Sequence, residues 1–177
     1  MSLTLEQKKT VVAEVNAVAS HAQAAIAAEY AGLSVAQMTD LRSRARTSGV
    51  FVKVVKNTLA RRALSGTSFE CLQPKLSGPL LLVFSAEDPG AGARVVRDFL
   101  KDKDNQKLVP VAIAYGGSLR GPEALQALAT MPTLDEARAQ FLGVLKAPAS
   151  KLVRTLAEPA AQLVRVLAAY RDKQQAA

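Results

Sequence analysis

The chain has 177 residues, enough for one ordinary domain with a real core plus an appendage. Its net charge of +8 and sequence pI of about 9.9 point to a polyanionic partner, either nucleic acid or an anionic membrane surface. One cysteine excludes an internal disulfide framework, and the longest apolar run, residues 80–84, is far short of the roughly 20 residues a membrane span needs.

The opening MSLTLEQKK places Glu6 and two lysines where a signal peptide needs its apolar stretch, so a soluble, cytosolic chain is expected. Thr4-Leu-Glu-Gln7 has capping-box form and predicts a helix to about Ala24, with Val11, Val15 and Val18 on one face. Residues 24–30 read as a short buried strand. Ser34-Val-Ala-Gln37 is a second capping box, opening a helix that Gly49 terminates. Val50 to Val55 is β-branched and aromatic and predicts a strand; Asn57 or Thr58 is expected to cap the next helix. Gly78-Pro79 introduces a strand over 80–84. Asp88-Pro89 is an N-cap and first-turn proline for a helix through Leu100. Lys107 to Ala114 predicts a further strand, closed by Gly116-Gly117.

This alternation predicts an α/β fold, a mixed sheet covered by helices, over residues 1–132. Thr133-Leu-Asp-Glu136, a third capping box, then starts a long proline-kinked helix over 133–177. No strand follows it, so its apolar face has to be buried by something else.

Between Arg42 and Arg62 there are seven cations and no acid. Arg42 and Arg46 share a helix face by i,i+4 spacing; Lys53 and Lys56 lie on and after the strand; Arg61 and Arg62 are predicted in the first turns of the next helix. Cations near a helix start oppose the macrodipole unless an anion is bound, and Asn57 with Thr58 adds neutral donors there. Arg42, Arg46, Lys53, Lys56, Asn57, Arg61 and Arg62 are thus the predicted phosphate-binding residues. Only Phe51 is an aromatic neighbour, which favours recognition of folded RNA by shape and phosphate over base stacking.

No catalytic constellation emerges. His21 sits in an alanine-rich helix, and one histidine with one cysteine does not make a zinc site. The loop Asp88-Pro-Gly90-Ala-Gly92-Ala-Arg94 has G-x-G but Val95 where a dinucleotide loop has its third glycine, and no lysine-serine or lysine-threonine pair follows. Neither a cofactor nor a metal is expected, and the chain reads as a non-enzyme without a small-molecule substrate.

The last 37 residues repeat with a period of eleven. Equivalent positions are Phe141, Leu152 and Leu163; Leu142, Val153 and Val164; Leu145, Leu156 and Leu167; Pro148 and Pro159 also coincide. Eleven residues are close to three helical turns, so each unit returns to one face with about 20° of drift. These nine apolar residues are the predicted docking positions for several copies of one partner. The period of eleven and the two prolines argue against a homodimeric coiled coil, and Pro148 with Pro159 marks predicted hinges or breaks between docking stations.

A basic clamp joined to a repeated docking helix resembles bacterial large-subunit ribosomal protein ten, the base of the ribosomal stalk. The resemblance spans essentially the whole chain. It is carried by VVKNTLARRAL at 54–64, GTSFECL at 66–72, the Gly78-Pro79 strand entry, LATMPT at 128–133 and KLVRTLA at 151–157. It implies an amino-terminal domain bound to large-subunit rRNA beside ribosomal protein eleven. It also implies a carboxy-terminal helix carrying dimers of the acidic stalk protein, number seven/twelve, which recruit translational GTPases, and repression of its own operon. Shorter members end soon after the KLVRTL motif, whereas here a further proline-bearing unit follows, so three dimers are expected instead of two. The alternative reading is a non-ribosomal nucleic-acid-binding regulator that self-associates through this helix.

Overall fold

In a computed structural model, residues 4–102, 105 and 107–175 are described; the outermost residues of both predicted domains fall outside them. Two compact units divide the chain, Met1–Thr133 and Leu134–Ala177.

The first unit begins with α1 (Leu5–His21), whose first turn is closed by the expected box: Gln7 N donates to Thr4 Oγ1, and Thr4 N to Gln7 Oε1. Next come β1 (Ala24–Glu29), α2 (Val35–Thr47), β2 (Val50–Val54) and α3 (Asn57–Leu64). Ser34 and Gln37 form the second box, and Gly49 at φ +66° ends α2 in the left-handed conformation. A 3-10 helix over Glu70–Lys75 follows, then β3 (Leu80–Ser85), α4 (Pro89–Lys101), β4 (Val109–Tyr115), β5 (Ser118–Arg120) and α5 (Ala124–Ala129).

The sheet has the order β2-β3-β1-β4-β5, and each pairing is antiparallel, where the sequence reading expects mixed directions. The reason lies in the connections: no strand is followed by a neighbour running the same way, because β1 and β2 point together but β3 lies between them. Helices cover both faces. Ala25, Ala27, Leu82, Phe84 and Ala114 face a core with α1, α3 and the 3-10 helix. Ile26, Leu81, Val83 and Ile113 face α2, α4 and α5. The five buried alanine and isoleucine positions of β1 suit a central strand gripped on both sides, despite alanine's low strand preference.

Three elements escape the sequence reading. The 3-10 helix and α5 are only six residues each, too short for a helical period to register. β5 is three residues long and joins β4 through Gly116 and Gly117, both at positive φ, as a two-residue primed hairpin turn requires.

The second unit is α6, Leu134–Gln175, 42 residues with Pro148 and Pro159 inside it. The helix is continuous across both prolines, so of the expected kink or break between stations a break does not occur. Each proline removes one hydrogen bond, and the alanine- and leucine-rich turns on either side still propagate the helix.

Candidate RNA-binding and docking surfaces

The structure sorts the predicted phosphate-binding residues into engaged and unengaged groups. Arg42 and Arg46 project from α2 into a groove shared with β2, where Lys53 joins them. β2 is an edge strand, so this groove runs along an open side of the sheet. Lys53, however, is ion-paired to Glu14 of α1. Arg44, on the other side of α2, is not part of the groove: it pairs with Asp40 at 2.8 Å and Asp102 at 3.0 Å and covers the Phe99 ring at 5.8 Å. Asp40 foremost, and Asp102 with it, holds the Arg44 guanidinium above its usual pKa.

At the start of α3 the expected cap is not the one found. Lys56 is the N-cap and makes no side-chain cap; Asn57 is the first helical residue, and its Nδ2 donates to the Gly78 carbonyl at 2.9 Å. The reason is tertiary: the chain entering β3 passes beside the start of α3 and takes the amide. Arg61 is also committed, donating from Nη2 to the Leu76 carbonyl at 2.8 Å. Since α3 ends at Leu64, Arg61 and Arg62 lie in its last turn, not its first. There the macrodipole favours cations, so the dipole argument for a bound anion does not apply to them. Arg42, Arg46, Lys56 and Arg62 are exposed, and no ion pair holds them among the described residues.

Two lysines escape the sequence reading. Lys8 and Lys9 of α1 line a groove whose other wall carries Arg62. They lie more than thirty residues before the basic segment, and only the α1–α3 packing brings them beside it. Asn16 Nδ2 donates to the Ala63 carbonyl at 2.8 Å and fixes that packing.

The glycines of the 88–94 loop serve packing. A Cβ at Gly92 stands 2.6 Å from Ser85 Oγ, and one at Gly90 stands 2.9 Å from the Leu128 carbonyl. Gly92 N donates to Ser85 Oγ at 3.0 Å, and Asp88 caps Gly90 N and pairs with Arg94. The turn that resembles a nucleotide loop is a site where α4 closes on β3 and α5. His21 is exposed at the end of α1, and Cys71 is half-buried against the core.

On α6 no residue is buried. All nine predicted docking residues are exposed, from Leu152 at 61% to Leu156 at 75%. The apolar positions of each unit, with Val144, Thr155 and Val166 at the fourth, cover about 160° of circumference. Pro148 and Pro159 fall within that arc, and Tyr170 takes the equivalent place in the third unit. The helix carries seven basic residues against four acidic ones. Among the described residues, no helix is long and apolar enough to cross a membrane.

Residues 3–101 match the family described as Ribosomal protein L10, and residues 131–177 match the Ribosomal protein uL10 C-terminal region. The chain belongs to the uL10 family. Proteins described as Large ribosomal subunit protein uL10 share 56% identity in Methylococcus capsulatus and 52% in a Psychrobacter species, with each chain covered completely. One from Nitrosococcus oceani shares 54% over 99% of this chain and 94% of its own. As a uL10 family member the chain is a structural constituent of the large ribosomal subunit, acting in translation, and not an enzyme. Membership sets aside the non-ribosomal regulator.

Proposed function

We propose that the first unit anchors the protein to large-subunit rRNA beside ribosomal protein eleven, and that α6 carries dimers of the acidic stalk protein seven/twelve, which recruit the translational GTPases. The RNA reading rests on a segment of seven cations without an acid, four of whose exposed side chains carry neither an ion pair nor a side-chain hydrogen bond among the described residues. Phosphate contacts by Arg42, Arg46, Lys56 and Arg62 give affinity that falls steeply with salt. Lys53, Asn57 and Arg61 act at the margin of the same surface, positioned by Glu14, Gly78 and Leu76. The same basic surface suits the messenger leader of the protein's own operon, as translational repression requires.

The docking reading is carried by a single observation: an apolar stripe repeated three times on a helix that buries none of it. Stripes of this size are covered in the functional state, and the basic excess of α6 favours an acidic partner. Four apolar side chains per unit contribute on the order of 6–10 kcal/mol gross, offset in part by lost partner freedom. An amphipathic helix laid in a partner's groove is the binding mode. Three units hold three dimers.

Co-expression with the acidic stalk protein followed by native mass spectrometry tests this. Six acidic copies per chain are expected, and removal of residues 163–177 takes away two of them while RNA binding persists. A count of four in the intact complex sinks the three-station reading.

A further inference from the structure

The groove between α1 and α3 joins the end of the basic segment to two lysines that composition does not single out. Lys8 and Lys9 of α1 and Arg62 of α3 rim it, above an apolar floor of Val12 and Leu59, with the exposed Leu5 at one end. No acidic side chain lines it. None of the three cationic side chains has an ion pair or hydrogen bond among the described residues.

Local energetics do not account for this charge. Lys8 and Lys9 are the fourth and fifth residues of α1, just past its first turn, where the macrodipole is slightly unfavourable to a cation. An anion bound beside them reverses that sign. The groove walls are also set in advance. The Thr4–Gln7 box fixes the first turn of α1, Asn16 ties α1 to Ala63, and Val15, Ala19, Ala60 and Leu64 share one buried cluster. A ligand seated here pays little to order the protein.

We infer that this groove is a second phosphate-binding site for RNA, separate from the α2–β2 groove, with Lys8, Lys9 and Arg62 on neighbouring phosphates and the apolar floor under the intervening sugars. It rests on the RNA reading above. Lys53 of the α2–β2 groove pairs with Glu14 of α1, so that groove's charge is partly neutralised on its α1 side. Compact ammonium groups on a helix suit phosphates taken as point charges, with no demand for base identity.

The test compares full-length variants binding deproteinised large-subunit rRNA across a salt series. K8Q/K9Q lowers affinity about tenfold or more near physiological salt and reduces the steepness of log affinity against log salt by about 1 to 2. K8R/K9R retains both values, and K75Q/K107Q, which removes equal charge from exposed sites elsewhere, retains the steepness. If K8Q/K9Q matches K75Q/K107Q while R42Q/R46Q loses binding, the second groove is overturned and the RNA reading stands. If the unsubstituted chain binds without salt dependence, both fall.

Discussion

Lys53 on the edge strand β2 donates to the carboxylate of Glu14 on α1. The pair links two elements far apart in sequence and cancels one charge of the basic segment. Both side chains are partly exposed, so the pair contributes at most about 1 kcal/mol to stability. Its larger effect is on the field that RNA meets. E14Q is therefore expected to leave thermal unfolding nearly unchanged while raising rRNA affinity several-fold at low salt, with the gain fading as screening grows. Filter binding at two salt concentrations checks it; an affinity equal to that of the unsubstituted chain at low salt counts against a role for Lys53.

Gly92 and Gly143 make opposite predictions for the same substitution. A Cβ at Gly92 meets Ser85 Oγ at 2.6 Å and Val83 Cγ1 at 3.3 Å, both in the buried contact of α4 with β3. G92A is expected to cost about 1–3 kcal/mol through overpacking. At Gly143, on α6, nothing lies within 4 Å of the added carbon. G143A is expected to gain about 0.5–1 kcal/mol of helix stability, the ordinary difference between the two residues in a helix. Denaturant unfolding reads the first, and far-ultraviolet circular dichroism at rising temperature reads the second.

Asp98 supplies a pH test. Lys101, at 3.0 Å, and Arg97 hold its carboxyl below the usual carboxylate range, against a smaller opposing effect of burial. A group whose folded pKa is depressed stabilises the fold above its unfolded pKa. That contribution is lost as pH falls through the folded value. The side chain is about half exposed, so screening keeps the effect small. D98N is expected to unfold at a slightly lower temperature than the unsubstituted protein at pH 7, with the gap closing below about pH 4. A gap that stays constant from pH 7 to pH 3 contradicts the assignment.

Long, well-punctuated elements were legible in the sequence for stated reasons. Thr4–Gln7 and Ser34–Gln37 close the boxes that their spacing predicts, and Gly49 takes the positive φ that ends α2. What depended on tertiary contact was not legible. Asn57 looks like a cap from its neighbours alone, yet Gly78, twenty-one residues on, takes its amide. Arg61 and Arg62 are a different case: Gly66, at φ +78° just past the Ser65 cap, is a local stop signal that puts both in the last turn of α3, and the sequence reading passes over it. Lys8 and Lys9 carry no local sign of nearness to Arg62. Side-chain inventory survives the passage from sequence to structure; partnership between distant segments does not.

Pro148 and Pro159 leave the helical carbonyls of Val144 and Thr155 without their usual donors, since proline has no N–H. Both prolines lie within the arc of the apolar stripe, where Tyr170 takes the place in the third unit. Their proposed role as hinges, which let each docked dimer tilt independently, is separable from their lost hydrogen bonds. P159A restores the donor and stiffens the helix; its far-ultraviolet helicity is expected to rise, with up to about 3 kcal/mol of local stabilisation. P159G also restores the donor but leaves the backbone pliable. If bending makes room for neighbours, P159A lowers the count of acidic stalk-protein copies from six toward four, while P159G keeps six. Six copies on all three chains remove the hinge role, because a straight helix then suffices to space the dimers. Loss of copies in both variants instead assigns the effect to what both substitutions remove, the Pro159 ring within the apolar stripe and the bare Thr155 carbonyl beside it.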